Sequence, residues 1–161
     1  MPPINDALTK YGSVFQTKII TCLLEDHKFA VTIYDMLRPE LLDTEAKQWI
    51  VKNIKDYYYE YKTTPSLQVL KIKLNDVSTE LLRDSIIDEL REVTKNLEAP
   101  DLEFVKDETT QFCKNQVLKE AIVKSVPTAF KTPIQPGDTI ITHHNVFRRW
   151  HAVSYTHLRA H

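Results

Sequence analysis

The most constraining feature of this sequence is a stripe of apolar and aromatic residues at helical spacing between Asp43 and Leu70. Side chains three or four positions apart share one face of a helix, whereas a strand places alternate residues on one face. The spacing therefore predicts a helix from about Thr44 to Lys62, with Asp43 as its N-cap. The residues of this stripe that we expect in the core are Trp49, Ile50, Ile54, Tyr57, Tyr58 and Tyr61.

A proline marks the end of this aromatic helix. Pro65 disfavours helical geometry at the residue before it and has no amide donor, so the helix must end ahead of it. Ser66 offers a hydroxyl that can cap a second helix. That helix is predicted to begin at Leu67, and both Leu67 and Leu70 are expected to face the core.

Glycine is scarce, with two residues in 161. Hairpins and sandwiches depend on turns with positive φ, which glycine supplies most readily, so its scarcity favours helices. We predict an all-α fold: a compact domain of about five to six helices with a long C-terminal helix, followed by an irregular tail. The hydrophobic content of 42% is sufficient for one globular core.

Three further helices are predicted around the aromatic helix. Ser13 and Gln16 have the spacing of a capping box, which predicts a first helix ending near Glu25. A short second helix is expected to stop at Arg38 and Pro39. Another helix is predicted to begin at Ser78 or Thr79. The core residues expected from the first and the last of these helices are Phe15, Ile19, Leu23, Ile86 and Leu90.

The last predicted helix runs from Leu102 to about Ser125, with Asp101 as its cap. Its apolar residues are sparse, and the stretch 106–110 is wholly polar. An extended helix of this kind needs a partner for its apolar residues, so a subunit interface is favoured over an intramolecular core. The interface candidates are Phe112, Val117, Leu118 and Ile122.

The two ends of the chain differ in character from the helical region, residues 13–126. Residues 1–12 have no sustained period and are expected to form a flexible arm. Residues 127–146 contain three prolines, which predicts a linker-like segment beginning at Pro127. The ending AVSYTHLRAH resembles translated sequencing-adaptor DNA found at the ends of proteins from metagenomic assemblies. Residues 147–161 are therefore interpreted as a non-native tail.

No motif predicts catalysis or a bound cofactor. Neither Gly12 nor Gly137 begins a phosphate-binding loop. The histidines after His143 lack a cysteine pair that would complete a zinc site, so no metal site is expected. Glu25, Asp26 and His27 form an acid–histidine cluster without a nucleophile, which favours a solvated helix end over a catalytic site.

Charge and hydropathy also narrow the class of protein. Three of the 21 basic residues lie after position 146, which leaves 18 basic against 22 acidic side chains before it. This acidic balance argues against direct nucleic-acid binding. No apolar run has the roughly 20 residues that span a bilayer, and no signal peptide is evident, so we expect a cytoplasmic protein without membrane contact. In that compartment Cys22 and Cys113 are expected as buried thiols rather than a disulfide.

The tyrosines of the aromatic helix allow a second interpretation. Aromatic rings beside basic residues can stack on unpaired bases, which would make a single-strand binding surface. The helical spacing favours packing instead, with Tyr57, Tyr58 and Tyr61 buried and Tyr59 pointing outward.

The order of these elements resembles the N-terminal domain of DnaB-type replicative DNA helicases, especially those of tailed bacteriophages. The likeness covers residues 13–126 and rests on four segments: FQTKIITCLLEDHKFAVTIYDMLRPELL, AKQWIVKNIKDYYYEYKTTPSLQVLKIKL, SIIDELREV and DLEFVKDETTQFCKNQVLKEAI. The resemblance implies an all-α domain that pairs through a helical hairpin, builds a collar above a hexameric ATPase and helps dock primase. By position, Leu102 to Ser125 would be the first arm of that hairpin.

The expected function is that of the assembly and primase-docking domain of a replicative helicase involved in DNA replication. ATP and magnesium would bind only in the missing motor domain, so no enzymatic activity is expected of this chain. The expected partners are a second copy, through the C-terminal helix, and primase or other replisome proteins in a bacterial host cell. The alternatives are the helicase-binding domain of a primase, a stand-alone helical adaptor, and a single-strand binder.

Overall fold

The computed structural model describes the backbone of residues 8–129 and the side chains of residues 8–125. Within that range the chain forms six α-helices and short 3-10 turns without any strand, which confirms the predicted all-α fold. The helices are α1 (Ser13–Glu25), α2 (His27–Ile33), α3 (Glu45–Tyr61), α4 (Leu67–Lys73), α5 (Glu80–Lys95) and α6 (Leu102–Ala129).

The chain divides into two compact units, Met1–Glu120 and Ala121–His161. The described part of the first unit contains α1 to α5 and most of α6. The described part of the second unit is residues 121–129, the final turns of α6. The predicted linker and tail between residues 130 and 161, and residues 1–7 of the predicted arm, lie outside the described residues.

Helix α3 has the predicted position but a different cap. Thr44, not Asp43, is the N-cap, and its Oγ1 accepts a hydrogen bond from the Lys47 amide at 3.3 Å. The Asp43 carboxylate lies instead near the Lys47 ammonium. The exit is as predicted, since Ser66 caps α4 by accepting from the Val69 amide at 3.4 Å.

The core is built on the centre of α3, where Ile50, Val51 and Ile54 are fully buried. Helices α1 and α5 cover this face and contribute the other large apolar side chains. The predicted core residues that are buried are Ile19, Leu23, Ile50, Ile54, Leu70, Ile86 and Leu90. Those that are partly buried and pack against the core are Phe15, Trp49, Tyr58 and Leu67.

The last turns of α3 correct part of the tyrosine prediction. Tyr58 is in phase with Ile50 and Ile54, and its ring lies 4.4 Å from that of buried Tyr34. Tyr57 is half-buried, and Tyr61 is 56% exposed, so the core assignment of Tyr61 is wrong. At 100° per residue these two side chains fall beside the buried face, and they stack on each other at 4.5 Å.

The N-terminal arm is shorter than predicted, because residues 8–11 form a 3-10 helix whose Leu8 is fully buried. Tyr11 stacks on Phe15 at 4.6 Å. One turn is too short to show periodicity in the sequence, which is why this anchor was missed. The capping box is also absent: Gly12, at φ 84°, precedes α1, and Gln16 is buried.

Helix α6 ends at Ala129, beyond the predicted end near Ser125. A proline removes one amide donor and crowds the carbonyl four residues earlier. The helix nevertheless includes Pro127, so the prediction that it stops near Ser125 is corrected. No helix in residues 8–129 combines the length and hydropathy needed to span a membrane.

Both cysteines are free and buried, which confirms the prediction of two thiols rather than a disulfide. Burial raises the pKa of the Cys22 thiol to about 11 and that of Cys113 to about 12. Because the thiolate is the reactive form, both side chains act as small apolar residues at neutral pH.

Candidate interaction surfaces

A buried polar cluster lies where α1, α3 and α5 meet. The Lys47 side chain is 2% exposed. Its ammonium lies 2.7 Å from the Ser13 Oγ, 3.2 Å from the Asp43 carboxylate and 3.4 Å from the Glu89 carboxylate. A buried charge is tolerated only when it is paired and hydrogen-bonded, and here the partners come from three separate segments.

The remaining polar groups of the cluster extend these links. The Thr17 hydroxyl of α1 donates to the Glu89 carboxylate of α5 at 2.6 Å. The buried Gln16 side chain accepts from the Asp43 amide at 2.8 Å. These contacts fix the positions of α1 and α5 against the start of α3, and thereby the surface on which the core is assembled.

Sequence reasoning missed this cluster, although a signal was present. Lys47 stands three, four and seven residues before Ile50, Val51 and Ile54, so it is in phase with the buried face. A lysine in phase with a buried helix face is either a buried charge that has partners or a residue at the edge of the apolar face. The choice depends on Glu89, 42 residues away, which no local pattern connects to it.

Ion pairs hold the polar first half of α6. The Lys106 ammonium lies 2.8 Å from the Asp26 carboxylate and 2.6 Å from that of Glu103. Near the start of the helix, Lys18 pairs with Asp101 at 2.6 Å. Lys106, in the polar stretch 106–110, therefore attaches this part of α6 to the N-cap of α2. The sequence indicated only that the stretch lacks apolar side chains.

The Asp26 carboxylate, which belongs to the acid–histidine cluster, has two hydrogen-bond partners. It accepts from the Phe29 amide at 3.0 Å and so caps α2. The hydrogen bond from the Lys106 ammonium, together with that amide, lowers the pKa of the Asp26 carboxyl. The same contact raises the pKa of Lys106. Asp26 thus joins α2 to α6, which corrects the expectation of a solvated helix end for this residue.

The four interface candidates divide into one core residue and three exposed ones. Phe112 is 3% exposed and meets Tyr11 edge-on at 6.1 Å, so it belongs to the core of its own chain and its interface assignment is corrected. It lies on the face of α6 that packs inward. The buried residues of that face are Val105, Thr109, Phe112, Cys113 and Gln116.

Val117 and Leu118 lie near the end of the first unit and are 48% and 56% exposed. In the second unit Ile122 is 52% exposed. We call Val117 and Leu118 the α6 stripe. Clustered apolar side chains of this size on a surface are typical of contact sites.

The tyrosine surface carries acidic as well as aromatic groups. Tyr59 is 46% exposed, as predicted, and its hydroxyl donates to the Asp35 carboxylate at 2.7 Å. This hydrogen bond raises the pKa of Tyr59 to about 12. The Lys62 ammonium lies about 6 Å from the ring centroids of Tyr58 and Tyr59. A carboxylate at the edge of these rings opposes a phosphate backbone, which weakens the base-stacking interpretation.

Residues 8–129 contain no group of three or more side chains placed to hold a metal ion. Comparison of the chain with protein-family models, curated protein sequences and solved structures gives no match.

We expect the variant Lys47→Met to lose about 3–5 kcal/mol of unfolding free energy, because it leaves the Glu89 side chain, which is only 13% exposed, without its cation. The double variant Lys47→Met/Glu89→Leu should recover much of this loss by replacing the pair with apolar groups. Urea unfolding measures both. As a control, Lys95→Met removes an exposed ion pair to Glu92 and should change stability far less. A loss below about 1 kcal/mol for the single variant would contradict the account.

The Asp26–Lys106 pair predicts a pH dependence of stability. In the folded protein the pKa of Asp26 is lowered from its ordinary value of 3.8, so its stabilising effect is present above that value. The effect is lost as the pH falls through the folded pKa. Asp26→Asn keeps an acceptor for the α2 cap but has no charge. The variant should be less stable by roughly 0.5–1 kcal/mol at neutral pH.

Denaturant titrations of the native chain and Asp26→Asn between neutral and strongly acidic pH test this prediction. The difference in unfolding free energy should be constant above the ordinary pKa and shrink below it. A difference that keeps its neutral-pH size throughout would show that Lys106 does not act through the Asp26 charge.

Proposed function

We propose that residues 8–129 form the N-terminal assembly domain of a DnaB-type replicative helicase. The proposal is supported by the order of elements: an apolar opening helix, the Leu37-Arg38-Pro39 junction, the aromatic helix α3 with its Pro65-Ser66 exit, and the long final helix α6. The observation that carries it is the α6 stripe, whose apolar side chains are exposed.

The proposed contact is formed by the α6 stripes of two copies. Burying a fully exposed Leu or Val side chain contributes roughly 1.5–3 kcal/mol, and about half of this is available here because the stripe residues are 48% and 56% exposed. The contact contains each residue once from each copy. Such a contact is symmetric, since the same patch faces itself across a twofold axis. Pairing of this kind would be the first step toward a larger assembly.

The partner assignments follow from the same proposal. Primase or another replisome protein would dock on the assembled domain, in the cytoplasm of a bacterial host cell. ATP and magnesium would be bound by the motor domain, so the chain itself would bind proteins and catalyse nothing. Direct contact with DNA is not part of the proposal, because the acidic balance of residues 1–145 opposes it.

The test is the variant Val117→Lys/Leu118→Lys in the full chain. Two lysines on the α6 stripe introduce like charges that face each other across the symmetric contact, so pairing through α6 should weaken by about 100-fold or more, whereas a contact elsewhere on the chain is unaffected. Light scattering after size-exclusion chromatography over a range of concentrations measures this. Both substitutions are at exposed positions, so the helical content should not change.

Val31→Lys is the matched control, because Val31 is an exposed apolar residue of α2 at 43% exposure. It should associate as the native chain does. A native chain that remains monomeric, or a double variant that associates normally, would contradict self-association through α6. ATP hydrolysis by the purified native chain would contradict the assignment of this chain as a non-catalytic domain.

A further inference from the structure

An apolar groove lies between α4 and α5, and basic side chains stand at its rim. Its volume is about 210 Å³. Leu74 and Leu90 are buried at its base, whereas Leu67 and Ile87 are half-buried along its walls. The residues that line it are Leu67, Lys71, Leu74, Ile87, Leu90, Arg91 and Thr94.

The polar groups at the rim favour an acidic ligand. Lys71 has no carboxylate within 4.0 Å among the described residues, and Arg91 pairs only with the exposed Asp88. Thr94 donates its hydroxyl to the Leu90 carbonyl. The groove therefore presents two cations and no unopposed carboxylate, so an apolar side chain flanked by acidic residues would complement it.

The chain itself displays such a side chain. Phe104, in the first turn of α6, is 59% exposed. Asp107 and Glu108 follow it at three and four residues, the spacing that places side chains next to each other on a helix. Asp107 is exposed and has no cationic partner among the described residues. Glu108 is half-buried and accepts a hydrogen bond from the Tyr11 hydroxyl at 3.3 Å. We call Phe104 with Asp107 and Glu108 the acidic knob.

We propose that the acidic knob of one copy docks in the α4–α5 groove of a second copy. The size is adequate, because a cavity of roughly 150 Å³ accommodates benzene and the groove is larger. The charges are complementary, with Asp107 and Glu108 opposite Lys71 and Arg91. Phe104 does not line the groove of its own chain, so the contact joins different copies.

This contact differs in kind from pairing through the α6 stripe. Knob and groove are different patches, so each copy offers one of each and the contact is heterologous. Repetition gives a closed ring where the rotation closes and an open chain of copies where it does not. The proposal rests on α4, α5 and the start of α6, and stands independently of the proposed function.

The experiment uses the full chain carrying Val117→Lys/Leu118→Lys, so that the α6 stripe does not contribute. Sedimentation velocity over a concentration series should show this background chain forming species larger than a dimer. Adding Phe104→Ser, or Lys71→Glu/Arg91→Glu, should weaken association by at least about tenfold. High salt should weaken the background association as well, because the paired charges are at the surface.

Mixing the two deficient chains gives the sharpest readout. The Phe104→Ser chain keeps its groove and the charge-reversed chain keeps its knob, so an equimolar mixture should form heterodimers and nothing larger. As controls in the same background, Leu81→Ser removes an exposed apolar side chain and Lys52→Glu reverses an exposed charge. Both should associate like the background. A monomeric background chain, unchanged association of Phe104→Ser, or a mixture without heterodimers would each overturn the proposal.

Discussion

The described structure depends on one buried charge, the ammonium of Lys47. It lies among the partners that α1, α5 and the start of α3 supply, and it loses hydration that only these partners replace. Apolar packing is tolerant of small shifts, whereas a buried ammonium is satisfied only in a narrow range of positions. The three helices are therefore held in one register, on which the rest of the first unit is built.

Helix α6 divides its contacts by chemistry. Its polar first half is fixed by ion pairs to α1 and to Asp26, while Val105, Phe112 and Cys113 supply the apolar contacts. The α6 stripe and Phe104 have no part in this attachment. Because other residues hold α6 in place, its exposed apolar side chains can contact a partner without disturbing the fold. The proposed contacts use these exposed side chains.

How much of this could be predicted from the sequence depended on the range of the interactions. Helical periodicity located α3, and local chemistry located the Ser66 cap, because both signals lie within one or two turns. Tyr61 was misplaced because the period identifies a face but not how far neighbouring helices cover it. Phe112 was misassigned for the opposite reason, since the Tyr11 ring that covers it is 101 residues away. The Lys47 cluster needed Glu89, which no local pattern reveals.

The central claim is that α1, α3 and α5 form one cooperative unit around Lys47. Native-state hydrogen exchange measures it most directly, through the free energy at which each amide becomes accessible. The account predicts that the buried centres of these three helices exchange only by global unfolding and share the largest opening free energy. The seven-residue α4 should open at a lower free energy. Exchange of the α3 centre as fast as that of α4 would contradict the claim.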